Sequence, residues 1–187
     1  MKLKVWSKTL LNIYSCLFRL TREIDKIILS YALKSGFYNG ICKTYNDIEK
    51  MIELTDRKVT LINLKVLIEK SLVSLDKTSC KILTLKYIDK VSNETIYKVL
   101  NIKRRTFYRK YIQALSSFGN QLLINGFDIN NVNAFVKDET WILDIFNNFL
   151  DKEINKSAET EISKYSIYNI AVNNFKKSKH YEYSFIA

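Results

Sequence analysis

The chain has 187 residues, 47% of them apolar and 13% aromatic, and its 30 Lys and Arg against 19 Asp and Glu give a formal net charge of +11. This apolar content is sufficient for a core and argues against a wholly disordered chain. Proline is absent and glycine occurs only four times, which argues against β-sandwiches, barrels and doubly wound sheets, so we expect an all-α protein.

Helical spacing of apolar residues begins near the N-terminus. One amphipathic run covers residues 10–20 and a second covers residues 23–33, where the apolar face is formed by Ile24, Ile27, Ile28 and Tyr31. The first twenty residues contain leucines and lysines, as signal peptides do, but polar residues interrupt them and no small-residue cleavage site follows, so we expect an amphipathic helix. No run approaches 18 uncharged apolar residues, and we expect no membrane span.

A break is predicted at residues 36–40, which contain two glycines. A short helix is then expected after the capping pair Thr44 and Asp47, and a longer helix is expected to begin at Thr55 or Asp56. The apolar face of the longer helix, which should end near residue 75, is formed by Leu61, Leu64, Leu67, Ile68 and Leu72.

Three shorter helices are predicted next, joined by connections of a few residues. They cover residues 77–88 after an Asp76 cap, residues 93–100 after a Ser92 cap, and residues 104 to about 118. We expect this group to form a unit distinct from the helices that precede it.

Charge is unevenly distributed along the chain. Residues 1–75, an N-terminal helical region, hold 13 basic and 7 acidic residues, residues 76–118 hold 10 and 3, and residues 119–187 hold 7 and 9. Abundant Lys, Ile, Asn and Tyr indicate A+T-rich codons, which account for part of the lysine excess. The local density in the central unit is therefore more informative than the total charge.

The last third is predicted to contain a helix and a tail. Residues 119–155 are interpreted as a C-terminal helix that packs on the core through one apolar stripe, formed by Trp141, Ile142, Ile145, Phe146, Phe149 and Leu150. Residues 156–187 are interpreted as a tail with a helix over residues 158–175. The final ten residues lack a periodic pattern, and we expect them to be mobile.

Catalytic and metal-binding side chains are scarce. The only histidine is His180, which argues against Ser-His-Asp, Cys-His and multi-histidine sites. The three cysteines form no CxxC pair, so we expect neither a disulfide framework nor a zinc site, and a reducing cytoplasm is the simplest location. Glycine-rich nucleotide loops are absent as well. We expect no enzyme activity, no metal and no cofactor.

The central stretch, residues 74–118, is SLDKTSCKILTLKYIDKVSNETIYKVLNIKRRTFYRKYIQALSSF. It resembles the helix-turn-helix of region four in bacterial sigma factors, in which an apolar helix precedes a Ser-capped short helix, a turn, a recognition helix and an Ala-Leu closure. The residues that match this pattern are Ile82, Leu83, Leu85, Lys86, Tyr87, Ser92, Ile96, Val99, Leu100, Ile102, Thr106, Phe107, Tyr108, Ala114 and Leu115.

Several positions depart from the family pattern. Tyr97 stands where a small residue is usual, and Thr95 where an acidic residue is common. Asn101 and Lys103 replace the usual Gly and Ser of the turn. A large ring at a close helix crossing requires a shift or an outward orientation. As a whole, the chain also resembles the small sigma-like proteins of A+T-rich, reduced-genome bacteria.

The spacing supports the same arrangement independently of the family. A short helix, a turn and a longer helix allow four apolar residues to bury against Leu83 and Tyr87, namely Ile96, Leu100, Ile102 and Phe107. Asn101 tolerates the left-handed conformation that such a turn needs. Three of the six arginines lie in residues 104–109, although A+T-rich codons favour lysine, and arginine forms bidentate contacts with guanine and phosphate.

We therefore predict a DNA-binding surface at the start of the recognition helix, where this motif enters the major groove. Contacts to base edges are predicted for Arg104, Arg105, Tyr108 and Arg109. Contacts to phosphates are predicted for Lys103, Thr106 and Lys110.

The resemblance implies a cytoplasmic transcription factor that binds double-stranded DNA and acts with the RNA polymerase core in initiation. One alternative is a phage-type or chromosomal regulator that does not bind polymerase, for instance a repressor that dimerises through the 141–150 stripe. Another is a protein interaction module with a vestigial helix-turn-helix, whose acidic segment, net −5 over residues 128–161, binds a basic partner. The sequence leaves the oligomeric state open.

Overall fold

The computed structural model describes residues 2–35, 41–128, 136, 139–154 and 164–177. All regular structure in these ranges is helical, which confirms the predicted all-α class. The helices are α1 (Lys2–Ser35), α2 (Ile41–Val73), α3 (Lys77–Leu83), α4 (Asn93–Val99), α5 (Arg104–Ile124), α6 (Thr140–Ile154) and α7 (Lys164–Lys177). A short π-helical turn, Thr84–Ile88, follows α3 directly.

The N-terminal region consists of two long helices where the periodicity predicted four shorter ones. The predicted starts at Thr44 and Thr55 are wrong, because α2 begins at Ile41 and continues without interruption to Val73. Thr55 Oγ1 donates a hydrogen bond to the Met51 carbonyl, 2.7 Å away, so its hydroxyl is satisfied inside the helix instead of capping a new one. The predicted break at residues 36–40 lies outside the described residues.

Helices α1 and α2 pack antiparallel. The Tyr14 hydroxyl donates to Glu69 Oε1 at 2.7 Å, whereas the Lys50 ammonium, nearer the start of α2, lies 5.7 Å from the ring of Tyr31. On the α2 face predicted to be apolar, one residue is half-buried, Leu67, and four are buried: Leu61, Leu64, Ile68 and Leu72.

Helix α1 lies at the centre of the protein, with contacts to α2, α5, α6 and α7. Its residues 5–13 are all buried, polar ones included. The ring of Trp6 stacks on Phe146 of α6 at 4.2 Å between centroids and meets Phe127 edge-on at 5.7 Å. On the predicted α6 stripe, Trp141, Ile142, Ile145 and Phe146 are buried, and Phe149 and Leu150 are half-buried. The expected packing of this stripe on the core is confirmed.

A buried ion pair joins α2 to the start of α6. Arg57 Nε lies 2.9 Å from Glu139 Oε1, its second nitrogen lies 3.3 Å from Oε2, and the Trp141 indole N–H donates to the same carboxylate. Glu139 is fully buried and Arg57 nearly so. This pairing satisfies both charges in the interior.

In the tail, where a helix over residues 158–175 was predicted, the structure contains α7, Lys164–Lys177. Residues 158–163 lie outside the described ranges. Ile167 and Ala171 are buried, and the guanidinium of Arg19 lies 3.5 Å from the centroid of the Tyr168 ring. The final ten residues lie outside the described ranges. Among the described helices, none combines the length and apolar character that a membrane span needs.

Candidate nucleic-acid interface

The central unit begins with α3, whose predicted cap is confirmed. The Asp76 carboxylate accepts hydrogen bonds from the backbone N–H groups of Thr78 and Ser79. Hydrogen bonds from Ser79 above all hold the pKa of the Asp76 carboxyl below its usual value. The regular helix predicted to continue to residue 88 instead widens into the π turn, where the Asp89 N–H donates to the Thr84 carbonyl.

The connection from α3 to α4 contains a feature that the sequence did not indicate. Lys90 adopts a left-handed conformation with φ 56°, and the next N–H, that of Val91, bonds the Leu85 carbonyl at 2.8 Å. The Lys90 ammonium donates to the side chain of Asn12 on α1. The start of α4 is therefore attached to the long central helix.

Helix α4 has the predicted boundaries within one residue. The Ser92 hydroxyl accepts from the Thr95 N–H at 3.2 Å. Asn101 is left-handed, with φ 49°, as predicted. The N–H of Asn101 bonds the Lys98 carbonyl and that of Ile102 bonds the Tyr97 carbonyl, which is the Schellman pattern of helix termination. This motif sets the sharp turn between α4 and α5.

Helix α5 extends six residues beyond the predicted end near 118, and its buried face continues with it. That face consists of Phe107, Tyr111, Ala114, Leu115, Phe118, Gly119 and Leu122. The helix ends before Gly126, whose φ of 95° suits glycine. Asn125 donates to Ser71 Oγ near the end of α2. The far half of α5 is thus held in the core.

The first turns of α5 are anchored by aromatic contacts. The Phe107 ring is fully buried and lies 6.1 Å from Tyr111 and 6.3 Å from Tyr97. Tyr97, predicted to force a shift or to point outward, is half-buried against Phe107. Of the residues expected to bury around this turn, Leu83, Tyr87, Ile96 and Phe107 are buried, and Leu100 and Ile102 are half-buried.

Opposite this anchor, the seven predicted DNA-binding residues lie together. They occupy the cap and the first two turns of α5. The exposed members are Lys103, Arg104, Arg105, Tyr108 and Arg109, and the half-buried members are Thr106 and Lys110. The Arg104 guanidinium lies 5.9 Å from the Tyr108 ring, so the two side chains form a cationic and aromatic pair on one face.

Two side chains that sequence reasoning missed extend this face by another turn. Ile112 is 57% exposed and lies four residues after Tyr108, and Gln113, also exposed, lies four residues after Arg109. Residues four apart share a face of a helix. The four-residue spacing from Tyr108 and Arg109 could have identified both residues in the sequence. Ile112 was overlooked because an apolar residue in a helix normally indicates the core.

Acidic charge beside this face is neutralised locally. Glu94 in the first turn of α4 lies 2.9 Å from the Lys98 ammonium. The hydrogen bond and charge of Lys98, together with the charge of Arg104, lower the pKa of the Glu94 carboxyl. The carboxylate of Glu94 is therefore paired with Lys98, and the surface formed by Arg104, Arg105 and Arg109 remains basic. In the ranges that the structure describes, no three potential metal ligands come together, and Cys16 and Cys80 are free thiols.

Comparison with protein families gives a match to the central part of the chain. Residues 34–119 match the family described as "Protein of unknown function (DUF1492)". The matched segment is under half of the chain and includes α2, α3, α4 and most of α5, whereas α6 and α7 lie outside it. No curated protein and no solved structure gives a significant match to the chain. The family description carries no activity.

Proposed function

We propose that this protein is a sequence-specific DNA-binding transcription factor, in which α3, α4 and α5 form a helix-turn-helix and α5 enters the major groove. The observation that carries the proposal is the exposed basic face of α5, with Lys103, Arg104, Arg105 and Arg109 beside Tyr108. The opposite face of the same turns is fixed in the core by Phe107 and Tyr111.

Sequence-specific contact with DNA bases requires side chains that are held in a fixed position. The major groove, about 12 Å wide, admits one α-helix, and arginine pairs bidentately with guanine. Because one face of the far half of α5 is buried, its first two turns project from a fixed base. We assign base edges to Arg104, Arg105, Tyr108 and Arg109, and phosphates to Lys103, Thr106 and Lys110. Ile112 adds a surface for a thymine methyl group.

We further propose that the RNA polymerase core is the partner, with the protein acting in initiation as sigma factors do. This part depends on the resemblance of residues 74–118. In nuclease-treated cytosol, a tagged copy should recover the core subunits in stoichiometric amounts. Recovery of the protein alone would support a regulator that acts without polymerase.

The observed packing bears on both alternatives. Four residues of the 141–150 stripe are buried within the chain and two are half-buried, which disfavours the stripe as the dimerisation surface of a repressor. In the acidic segment, residues 128–161, Glu139 is paired with Arg57, and Glu153 lies 2.6 Å from Lys4 and 3.1 Å from Lys8. These two carboxylates already have partners, which disfavours a basic protein as the main ligand of this segment.

Duplex binding tests the proposed interface directly. Fluorescence anisotropy over a salt series should give a linear fall of log affinity against log salt, with a slope of about −0.9 per neutralised phosphate. Alanine at Arg104, Arg105 and Arg109 together should reduce specific affinity by at least about 100-fold, since each bidentate pair contributes about 1–3 kcal/mol.

The control removes the same charge elsewhere, with alanine at the exposed residues Lys2, Arg22 and Lys26, and should leave affinity nearly unchanged. Equal losses in the two triple variants would show non-specific attraction to net charge. An unchanged affinity and salt slope in the α5 variant would overturn the assignment. No binding of the wild type to any duplex at low salt would favour an interaction module.

A further inference from the structure

The outer side of α2 carries an apolar surface that no described element covers. Seven large apolar residues on this helix are between 40% and 82% exposed. We call them the outer α2 face: Tyr45, Ile48, Ile52, Val59, Ile62, Val66 and Val73. They follow one helix for about 42 Å at 1.5 Å per residue. Scattered exposed apolar residues are ordinary, but a continuous line of them indicates an interface.

The spacing of the outer α2 face is that of a coiled coil. Successive members are separated by three, four, seven, three, four and seven residues, which places them at a and d positions of four consecutive heptads and at the first a position of a fifth. Thr55 and Glu69 occupy the two d positions that interrupt the line. Glu69 accepts hydrogen bonds from Tyr14 and Lys65 of its own chain, so its carboxylate is engaged at the α1 side. A helix is the partner that a heptad seam fits.

Charges beside the seam define the orientation of that helix. The e positions are Glu49, Asp56, Asn63 and Lys70, all exposed, and they change from acidic to basic along α2. In an antiparallel pair of identical helices, e positions face e positions and g positions face g positions. One register then brings Glu49 to Lys70 of a second copy, and in the same register Lys58 faces Lys65. In a parallel pair, Lys65 at g would instead meet Lys70 of the second copy.

We propose that the outer α2 face binds a second copy of this chain in antiparallel orientation and makes the protein a dimer. The register that pairs Glu49 with Lys70 of the second copy overlaps residues 48–73 and places Val59 against Ile62 of the second copy and Ile48 against Val73. This inference goes beyond the proposed function and does not depend on it, because the seam lies outside the basic face of α5.

Sedimentation equilibrium of the full chain without DNA tests the dimer. The wild type is expected to be dimeric at micromolar concentration, and a Val59→Glu/Ile62→Glu variant monomeric with an unchanged circular dichroism spectrum, since both side chains are exposed. The control, Ile124→Glu, changes an exposed apolar residue of α5 outside the seam and should remain dimeric. A monomeric wild type, or a dimer that persists in the α2 variant, would overturn the proposal.

Charge exchange tests the orientation. Lys70→Glu should weaken the antiparallel dimer several-fold, because it places a second carboxylate opposite Glu49 of the other copy, and the double variant Glu49→Lys/Lys70→Glu should restore it. Tighter association of Lys70→Glu would indicate a parallel pair and overturn the orientation. If deletion of residues 178–187 converts a monomeric wild type into a dimer, the chain's own end is the occupant and the proposal is wrong for the intact protein.

Discussion

The hydroxyl oxygens of Tyr87 and Tyr111 lie 2.6 Å apart in a buried hydrogen bond between the π turn and α5. The Lys86 ammonium lies 5.2 Å from the Tyr111 ring and donates to Asn93 of α4 at 2.8 Å. Three elements of the central unit are thus connected at one point. The direction in which α5 presents its basic face depends on this junction.

Removal of one of the two hydroxyls should loosen that junction. Tyr111→Phe retains the ring and is expected to lower the free energy of unfolding by about 1 kcal/mol, the typical contribution of one hydrogen bond. Urea denaturation measures the change, and Tyr108→Phe, which alters an exposed tyrosine of the same helix, should have almost no effect. Equal stability of the two variants would show that the Tyr87–Tyr111 bond contributes nothing net.

The pair Arg57 and Glu139 should show strong coupling. Glu139→Ala removes the carboxylate facing a buried guanidinium and is expected to cost about 3–5 kcal/mol of unfolding free energy. Replacement of both residues, Arg57→Met with Glu139→Ala, should cost less than the single change, because no buried charge then loses its counterion. Chemical denaturation of all four proteins forms a double-mutant cycle. Additive losses would contradict the coupling.

Gly119 marks a close approach of α5 to α1. A Cβ at this position would lie 2.9 Å from Ser7 Oγ and 3.0 Å from Leu3 Cγ, so Gly119→Val should cost about 1–3 kcal/mol through overpacking. Gly119→Ala gives a smaller loss, offset in part by the better helix propensity of alanine. Thermal unfolding measures both variants. A valine variant as stable as the wild type would show that the α1 side chains move without cost.

The parts of the fold that the sequence predicted are those with a local chemical cause. Asp76 and Ser92 supply caps, and Asn101 supplies a left-handed residue, so α3 and α4 began and α4 ended where expected. The basic face followed from the order of residues along α5. The Thr55 prediction failed because a threonine hydroxyl also bonds a carbonyl of its own helix, and a pattern of residue types does not distinguish the two.

Other features depend on partners far away in the chain. Arg57 and Glu139 are 82 positions apart in the chain. Neither their residue types nor their spacing indicates that the two side chains form a pair. The π turn changes the hydrogen bonding of only five residues, too few to alter a hydrophobic period. The outer α2 face was not predicted, because its apolar residues are separated from the buried face of α2 only once that opposite face is seen against α1.

Acid should destabilise the protein through paired carboxylates. Hydrogen bonds from Lys4 and Lys8 lower the pKa of the Glu153 carboxyl below its usual value of 4.5. Hydrogen bonds from Lys65 and Tyr14 lower the pKa of the Glu69 carboxyl in the same way. A lowered folded-state pKa gives stability that is present above the unfolded value and lost as pH falls. Stability should therefore fall below about pH 4.5. Glu153→Gln should show a shallower fall in urea titrations at pH 6, 5, 4 and 3, and an unchanged slope would contradict this.

Alkali should act on the other partner of Glu69. Burial, with the hydrogen bond to Glu69, raises the pKa of Tyr14 from 10.0 to about 12. A raised folded-state pKa means that the unfolded chain releases this proton first, so the stabilisation is complete below pH 10 and is lost between pH 10 and about 12. Lysines titrate in the same range, so the informative quantity is the difference between the wild type and Tyr14→Phe. That difference in unfolding free energy should shrink as pH rises from 9 to 11.5, whereas Tyr108→Phe should give no such trend.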